Sequence, residues 1–591
     1  MIGIACSAAM LSLAQTPTTP APTNPSGNPP QDGNAEALRA FQRQAGDQAP
    51  TLAKDEAGNI KLEWRGSLSL DAYRNDVTPP PGQAAFASPF ATGTRERTVF
   101  TTEIRLVEPN GAAMFLQAGS MFSNDRAVLS RYPSQLSQLQ AGRTTARQNL
   151  TVGDVVANYS GLGTSLGMRG LALTQRLGDF SLSAHAGKVA ESWDALLNRK
   201  PIDGGNSRNQ YLRNVFGLKG EYSHSPQLRS YVTWQSFDDS KGSLPEALAT
   251  AATAHTVAAS GGFAWQGETT TLAGELARSS FHREQLAERR ADAFVLDGTW
   301  RVNTLSLRAG YHEVDADFVS LAQSVPPGVR EGYVGFDWPA TTWLSVGADW
   351  RDALTRYAMP TLPPVDDSAF ALLPPPLAPE PTLARGFNTR ATINFGPSWP
   401  GWNLSIQNAE TANGTVSGIT GRGRNTNITL SFAAKGWNGS LTLGDGFNRQ
   451  TGNPAGDSTM ESIQFQAGRS FVHADRGGTP LLTLTVSGMA GRQTQRLPTM
   501  GNRTDSTQYG LVLAGQHRRF GQLNLQWNDA VLTQPLGGPD LVTRTLQFDF
   551  THPFGAQRAL KAYLRHVRRN MGAPQLETTE KLGGVQLSLT W

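Results

Sequence analysis

Sulfur crosslinks are nearly absent from this chain: Cys6 is the single cysteine in 591 residues. It lies in a segment expected to be removed, so the mature chain holds neither disulfides nor thiolate metal sites. Long apolar runs are missing too. Nothing approaches the roughly 18 residues that a membrane-spanning helix requires, and mean hydropathy is −0.35. A bundle of membrane helices is excluded. An excess of one charge is also missing, since 52 basic residues face 48 acidic ones. That balance is too even to call for a nucleic-acid partner. The nine histidines form no His-x-x-x-His or His-Glu-x-x-His pair, and no Walker phosphate loop occurs. The expectation is a non-enzyme with no cofactor and no bound metal.

What the chain does have is glycine and aromatic residues: 61 Gly, 25 Phe, 13 Trp and 11 Tyr. Rings spread along the chain after residue 40 argue against disorder. From Ile60 to Tyr73, Ile60, Leu62, Trp64, Gly66, Leu68, Leu70 and Ala72 alternate with Lys61, Glu63, Arg65, Ser67, Ser69 and Asp71. A helix would scatter these charges around its circumference, so the period of two fixes a strand with one wet face. The same alternation recurs to the C-terminus. Its strands are joined alternately by short turns, such as 108–111, 177–179, 266–268, 301–303 and 435–436, and by longer polar stretches. The long ones are read as 190–210, 238–255, 313–329, 352–385, 409–425, 446–460, 491–505 and 568–579.

A sandwich has no reason to sort its connections by length. A membrane barrel does, with short turns on the periplasmic side and long loops outside. The fold class expected is therefore all-β: one transmembrane antiparallel barrel over residues 56–591, with about 24 strands. Parity then makes Glu580–Trp591 the down-going strand that closes the barrel against Ile60–Tyr73, with both termini periplasmic. Leu150–Tyr159 is strand-like but breaks that parity. It is placed inside a long 123–164 insert that folds over or into the lumen. The Pro-rich segment 352–385 is read as a long external loop. Lys61, Glu63, Arg65, Glu103 and Arg105 are the candidate lumen-lining charges; their mixed signs favour neither anions nor cations.

Trp265, Trp300, Trp402 and Trp437 all lie beside short turns, where rings gathered at one height make an interfacial girdle. The final strand carries Val585, Leu587, Leu589 and Trp591 on one face and stops on the ring. This arrangement resembles the C-terminal signal of bacterial outer-membrane β-barrels, and the resemblance implies recognition by the barrel-assembly machinery. A second resemblance covers Leu150-Thr151-Val152-Gly153-Asp154 and Met168-Arg169-Gly170-Leu171-Ala172-Leu173. These look like the Gly-Asp … Arg-Gly-x-x-Leu arrangement of fimbrial ushers, which are also barrels of about 24 strands. The chain has no room for the usher's plug or chaperone-binding domains, so large-barrel architecture alone is implied.

Residues 1–14 read as a signal peptide without its basic start, as in a truncated leader. Residues 15–55 read as a Pro- and Thr-rich tether with a short helix over 35–45, available to a periplasmic or envelope partner. A barrel of about 24 strands spans roughly 45–50 Å, too wide for side chains to fill. Loops, insert, tether or partner must occlude it. The expected function is an outer-membrane channel or conduit; the alternative is a structural anchor or assembly platform without an open pore.

Overall fold

A computed structural model of the chain describes residues 60–591, apart from 81–89, 126–128, 130–133, 164, 191–192, 198–211, 240–253, 284–287, 321–324, 357–379, 397–398, 400, 535–537, 556 and 573–575. The proposed leader, tether and helix 35–45, and the body of the Pro-rich loop, lie outside the described residues. The rest forms one antiparallel sheet of 26 strands. Each strand pairs with its neighbours in the chain. β1 (Lys61–Thr78) also pairs with β26 (Glu577–Thr590), so the sheet closes. Closure gives every strand a partner on both sides, as a sheet placed in hydrocarbon requires.

The seam falls where parity put it. Ser67 stands opposite Thr590 and Thr78 opposite Thr579. Trp591 extends the ladder by exchanging backbone hydrogen bonds with Gly66 at 3.0 and 3.1 Å. Its ring lies over Gly66, where a Cβ would overlap the indole, and packs near Phe100 and Trp64 at centroid distances of 6.0 and 6.1 Å. Glycine in this strand marks the close approach of a ring from the other end of the chain.

Two strands beyond the expected count come from one region. β3 (Ala113–Ser123) pairs with β4 (Ser134–Thr144), and β4 with β5 (Gln148–Asn158). Leu150–Asn158 is therefore barrel wall, not part of a lumenal insert, and β4 restores the parity that β5 alone breaks. β4 hides because Leu136 and Leu139 are three residues apart, a spacing that does not read as a strand. A register shift between Gly119 and Ser120 of β3 absorbs the irregularity.

The sheet's outward face is apolar over a sharply bounded belt. On β19 (Trp437–Gln450) it runs Trp437, Leu441, Leu443 and then gives way to Asp445 and Arg449. On β21 (Pro480–Leu497) it runs Leu482, Leu484, Val486, Ala490 and then Arg492 and Arg496. Exposed large hydrophobics of the strands, among them Leu70, Leu276, Val334, Leu443, Leu511 and Leu564, lie on this face, as expected of groups whose solvent is lipid.

Connections sort by end. At one end they are short, the longest being 395–401. The other end has 190–212, 240–253, 315–328 and 356–381. Four stretches expected to be loops are strand instead. β17 (Trp402–Thr415) and β18 (Gly418–Ala434) meet across the tight turn 416–417. β19, β20 (Ser458–Ala474), β21 and β22 (Asn502–His517) likewise run through most of 446–460 and 491–505. β25 (Arg558–Met571) and β26 extend into the ends of 568–579. Past the apolar belt both faces of a strand are wet, so its hydropathy no longer alternates.

Candidate functional site: the barrel interior

With 26 strands at about 4.8 Å spacing and about 40° tilt, the backbone cylinder is about 50 Å across. Its interior is lined by two unlike arcs, and the sequence of the inward-facing positions decides which is which.

The first arc centres on β9 (Leu228–Asp239), β10 (Ala254–Gln266), β11 (Thr270–Arg283) and β12 (Arg289–Val302). Small inward side chains here leave room for chain to lie on the wall. Ala258, Ala277, Ala291 and Ala293 are all buried. Two connections from the long-loop end fill that room. One joins β5 to β6 (Ser165–Leu177). The other joins β13 (Leu305–Val314) to β14 (Val329–Pro339). Leu162 from the first and Phe318 from the second are 0% and 1% exposed, and cluster with Val314 and Val325 against Ala277, Ala291 and Ala293.

Polar pins fix both segments. The Leu162 amide donates to Glu275 Oε2 at 3.1 Å, and the Val319 amide to Ser279 Oγ at 3.1 Å. Ser320 Oγ donates to the Gly163 carbonyl at 2.8 Å and accepts from Gln235 Nε2 at 2.9 Å. The two connections thus hold each other as well as the wall. A smaller inward fold occurs near the seam, where Tyr73 donates to Asp125 and Leu129 is buried.

Beside this packed zone the wall carries charges that neutralise one another. β15 (Leu344–Thr355) and β16 (Thr382–Asn394) complete a four-strand set with β13 and β14. Arg308 Nη1 meets Asp337 Oδ2 at 2.8 Å, and Arg308 Nε meets Asp349 Oδ1 at 2.8 Å. Arg390 meets the same two carboxylates at 2.9 and 2.8 Å. Two guanidinium forks and two carboxylates close a ring, a geometry in which each charge is hydrogen-bonded rather than merely near its opposite. Gly335 and Gly347 stand between its members and leave the space that the ring occupies. A Cβ at Gly347 would come within 2.8 Å of both Arg390 Nε and Asp337 Oδ1.

The second arc has neither inward loops nor charge. Along β17–β22 and β23 (Gly521–Thr533), the positions facing the interior are Asn, Gln, Ser, Thr, Gly and a few small or apolar residues. Representative cross-strand rows are Gln407 with Asn427, Thr442 with Gln464, and Gln508 with Ala530. Every Asp, Glu, Lys and Arg of the paired regions of these strands points outward. Thr429 and Thr442 hydroxyls pair at 3.0 Å, and Gln508 Nε2 donates to Asn528 Oδ1 at 3.2 Å. Ser470 and Thr485 hydroxyls pair at 2.9 Å in the same way.

The expected lumen charges have the inward parity of β1 and β2 (Gly93–Val107), with Glu63 opposite Arg105 and Arg65 opposite Glu103. They sit at the short-turn end, where Lys61 meets Glu63 at 2.7 Å and Arg65 meets it at 3.3 Å. Sequence reasoning did not find Arg308, Asp337, Asp349 and Arg390, whose strands lie next to one another but whose ring needs the register to be seen. Trp265, Trp300 and Trp437 are exposed on the outward face beside short connections. Trp402 has the same parity and stacks on Phe432 at 5.0 Å. Val585, Leu587, Leu589 and Trp591 share the outward parity of β26.

Gly153, Asp154 and Arg169 fasten the place where β4 leaves β5. Asp154 meets Arg169 Nε at 3.3 Å and accepts from the Leu139 amide at 2.6 Å. It also accepts from Trp193 Nε1 at 2.8 Å, at the start of the short helix α1 (Trp193–Leu196). Gly163-Thr164-Ser165-Leu166-Gly167 has the Gly-x-Ser-x-Gly spacing of a nucleophile elbow. That motif requires a sharp strand-to-helix turn, whereas Ser165 opens β6 opposite Asn158.

No family model and no curated protein matches the chain. Among solved structures, the translocation pore of the P pilus usher PapC is similar at a TM-score of 0.35 and 10% identity, covering 90% of this chain and 99% of that one. The siderophore receptor PirA from Pseudomonas aeruginosa is similar at 0.38 and 9%, covering 90% and 80%. Salmonella typhi OmpF in complex with daunomycin is similar at 0.28 and 11%, covering 50% and 92%.

Proposed function

We propose that the chain is an outer-membrane channel for hydrophilic solutes, narrowed on one side by its own inward-folded connections. The observation that carries the reading is the second arc: seven adjacent strands turn only uncharged side chains toward the interior. A wall of amides and hydroxyls keeps a water-filled path wet and exchanges hydrogen bonds with a passing solute without trapping it by charge. The Arg308–Asp337–Asp349–Arg390 ring adds no net charge, so weak ion selectivity follows. No chemical step is assigned to any residue.

The membrane reading accounts for the remaining features. Trp265, Trp300, Trp402 and Trp437 serve as an interfacial girdle at the short-turn border of the belt. Val585, Leu587, Leu589 and Trp591 serve as the assembly signal, with both termini periplasmic. Lys61, Glu63, Arg65, Glu103 and Arg105 line the periplasmic mouth, and residues 15–55 serve as a tether for an envelope partner.

Liposome swelling tests the reading. Vesicles carrying the purified chain should swell in isosmotic neutral sugars and polyols at rates that fall with solute size. Rates no higher than those of protein-free vesicles for every solute would return the chain to the other role, an anchor or platform without an open path.

A further inference from the structure

Beyond the apolar belt, the outward face of β17–β22 is not a plain solvated surface. Its charges are mostly arginine and carboxylate, and most pair: Arg424 with Asp445 at 3.3 Å, Arg496 with Glu461 at 3.5 Å, and Arg503 with Asp505 at 2.7 Å. Arg422 and Arg449 do not. They stand directly opposite each other on β18 and β19. Both are exposed, and neither has an ion-pair partner among the described residues. Like charges directly opposite in an antiparallel pair destabilise it.

The surroundings of this pair define what relieves it. Phe447 lies on the same outward face, two residues before Arg449 and opposite Arg424. The guanidinium carbons of Arg449 and Arg424 lie over its ring at 5.2 and 5.4 Å. Below Phe447 on β19 the outward face carries Asp445, the partner of Arg424, and then Leu443, Leu441 and Trp437 of the apolar belt. Two guanidinium groups therefore lie over one ring at the upper edge of a lipid-facing surface, with Arg422 opposite one of them on β18. The opposite border of the belt differs. Its outward Arg469 is already placed over two rings, at 4.9 Å from Trp437 and 4.6 Å from Phe471.

We propose that Arg422, Arg449 and Arg424 bind the phosphate of a membrane lipid headgroup, whose acyl chains lie along Phe447 and Leu443. The planar guanidinium fork matches phosphate oxygens bidentately. A bound anion removes the opposition of Arg422 and Arg449, and the belt beneath supplies the apolar contact that a free phosphate ion lacks.

The test titrates detergent-solubilised full-length protein with phosphatidic acid in mixed micelles, with phosphatidylcholine as the comparison lipid. R422Q/R449Q should bind phosphatidic acid about thirtyfold more weakly, the effect of two basic groups near a lipid surface. It should bind phosphatidylcholine as wild type does. R469Q should change neither, and R422K/R449K should fall between, since it keeps charge and loses the fork. Heat-modifiable gel migration reports whether each variant keeps its barrel; if the glutamine pair does not, the lysine pair carries the comparison. Unchanged phosphatidic acid affinity in a folded variant overturns the proposal. So does equal binding of inorganic phosphate alone. A shift in sedimentation from dimer to monomer with lipid binding intact would assign the face to a second copy and also overturn it.

Discussion

The β9–β12 arc and the β17–β23 arc are built from the same hydrogen-bonded ladder and the same lipid-facing belt, yet their inner faces do opposite things. In the first, inward alanines let the 159–163 and 315–320 segments settle on the wall, burying Leu162 and Phe318. In the second, most inward residues are amides, hydroxyls or small side chains, and the connections across the top are tight, as at 416–417. A strand's outer face is dictated by lipid. Its inner face is free to specify either packing or passage, and here the choice is made by side-chain size. Alanine invites a loop; glutamine and asparagine keep a surface wet.

The comparison breaks most directly if the packed arc is opened. Leu162→Asp with Phe318→Asp puts two unpaired carboxylates where both side chains are fully buried, a change worth several kcal/mol of docking at each site. The barrel wall, held by its own ladder, should persist. Single-channel conductance should at least double, and conductance equal to wild type would mean the loops do not narrow the path.

A smaller effect is expected at the charged ring between the arcs. Asp337→Asn with Asp349→Asn leaves Arg308 and Arg390 uncompensated, adding two positive charges to an otherwise near-neutral wall. Reversal potentials in a salt gradient should move toward anion preference by several millivolts or more. Matched changes at Gln464→Lys in the uncharged arc should move it the same way without loss of thermal stability. That contrast separates the ring's structural role from the electrostatic one.

The smallest effect concerns the rim. Glu380 accepts from the Ser417 amide at 2.9 Å and from its hydroxyl. The Ser417 side-chain and backbone donors hold its carboxyl below the ordinary glutamate range. A carboxyl lowered on folding stabilises above its unfolded value, ~4.3, and loses that contribution as pH falls through the lowered folded value. The clip is fully exposed, so the expected outcome is a loss of amide-exchange protection at Ser417 in acid, measured against the intrinsic rate at each pH and absent in Glu380→Gln, with no change in barrel melting.

Much of this architecture is written in single residues. The alternation of Ile60–Tyr73, the terminal Trp591 and the sorting of turns identify a barrel and pair its first strand with its last. What escapes does so for local reasons. Leu136 and Leu139 break the period of β4 because a register shift sits opposite them. Gly418 to Arg424 reads as loop because both faces of β18 are wet above the belt. The interior contacts are harder still. Leu162 meets Ala277, and Gly163 meets Ser320, across more than a hundred residues of chain. No periodicity announces which loop turns inward; only the run of small inward residues on β10–β12 hints that something must cover them.

Substituted-cysteine accessibility tests the two-arc account most directly. Cys6 is the chain's one cysteine, so C6S provides a clean background for Q464C in the uncharged arc and A277C beneath Leu162. Membrane-embedded protein treated with a hydrophilic thiol reagent should label Q464C at least tenfold faster than A277C, and the L162D/F318D pair should erase the difference. Equal labelling of the two positions in the otherwise native chain would contradict the account.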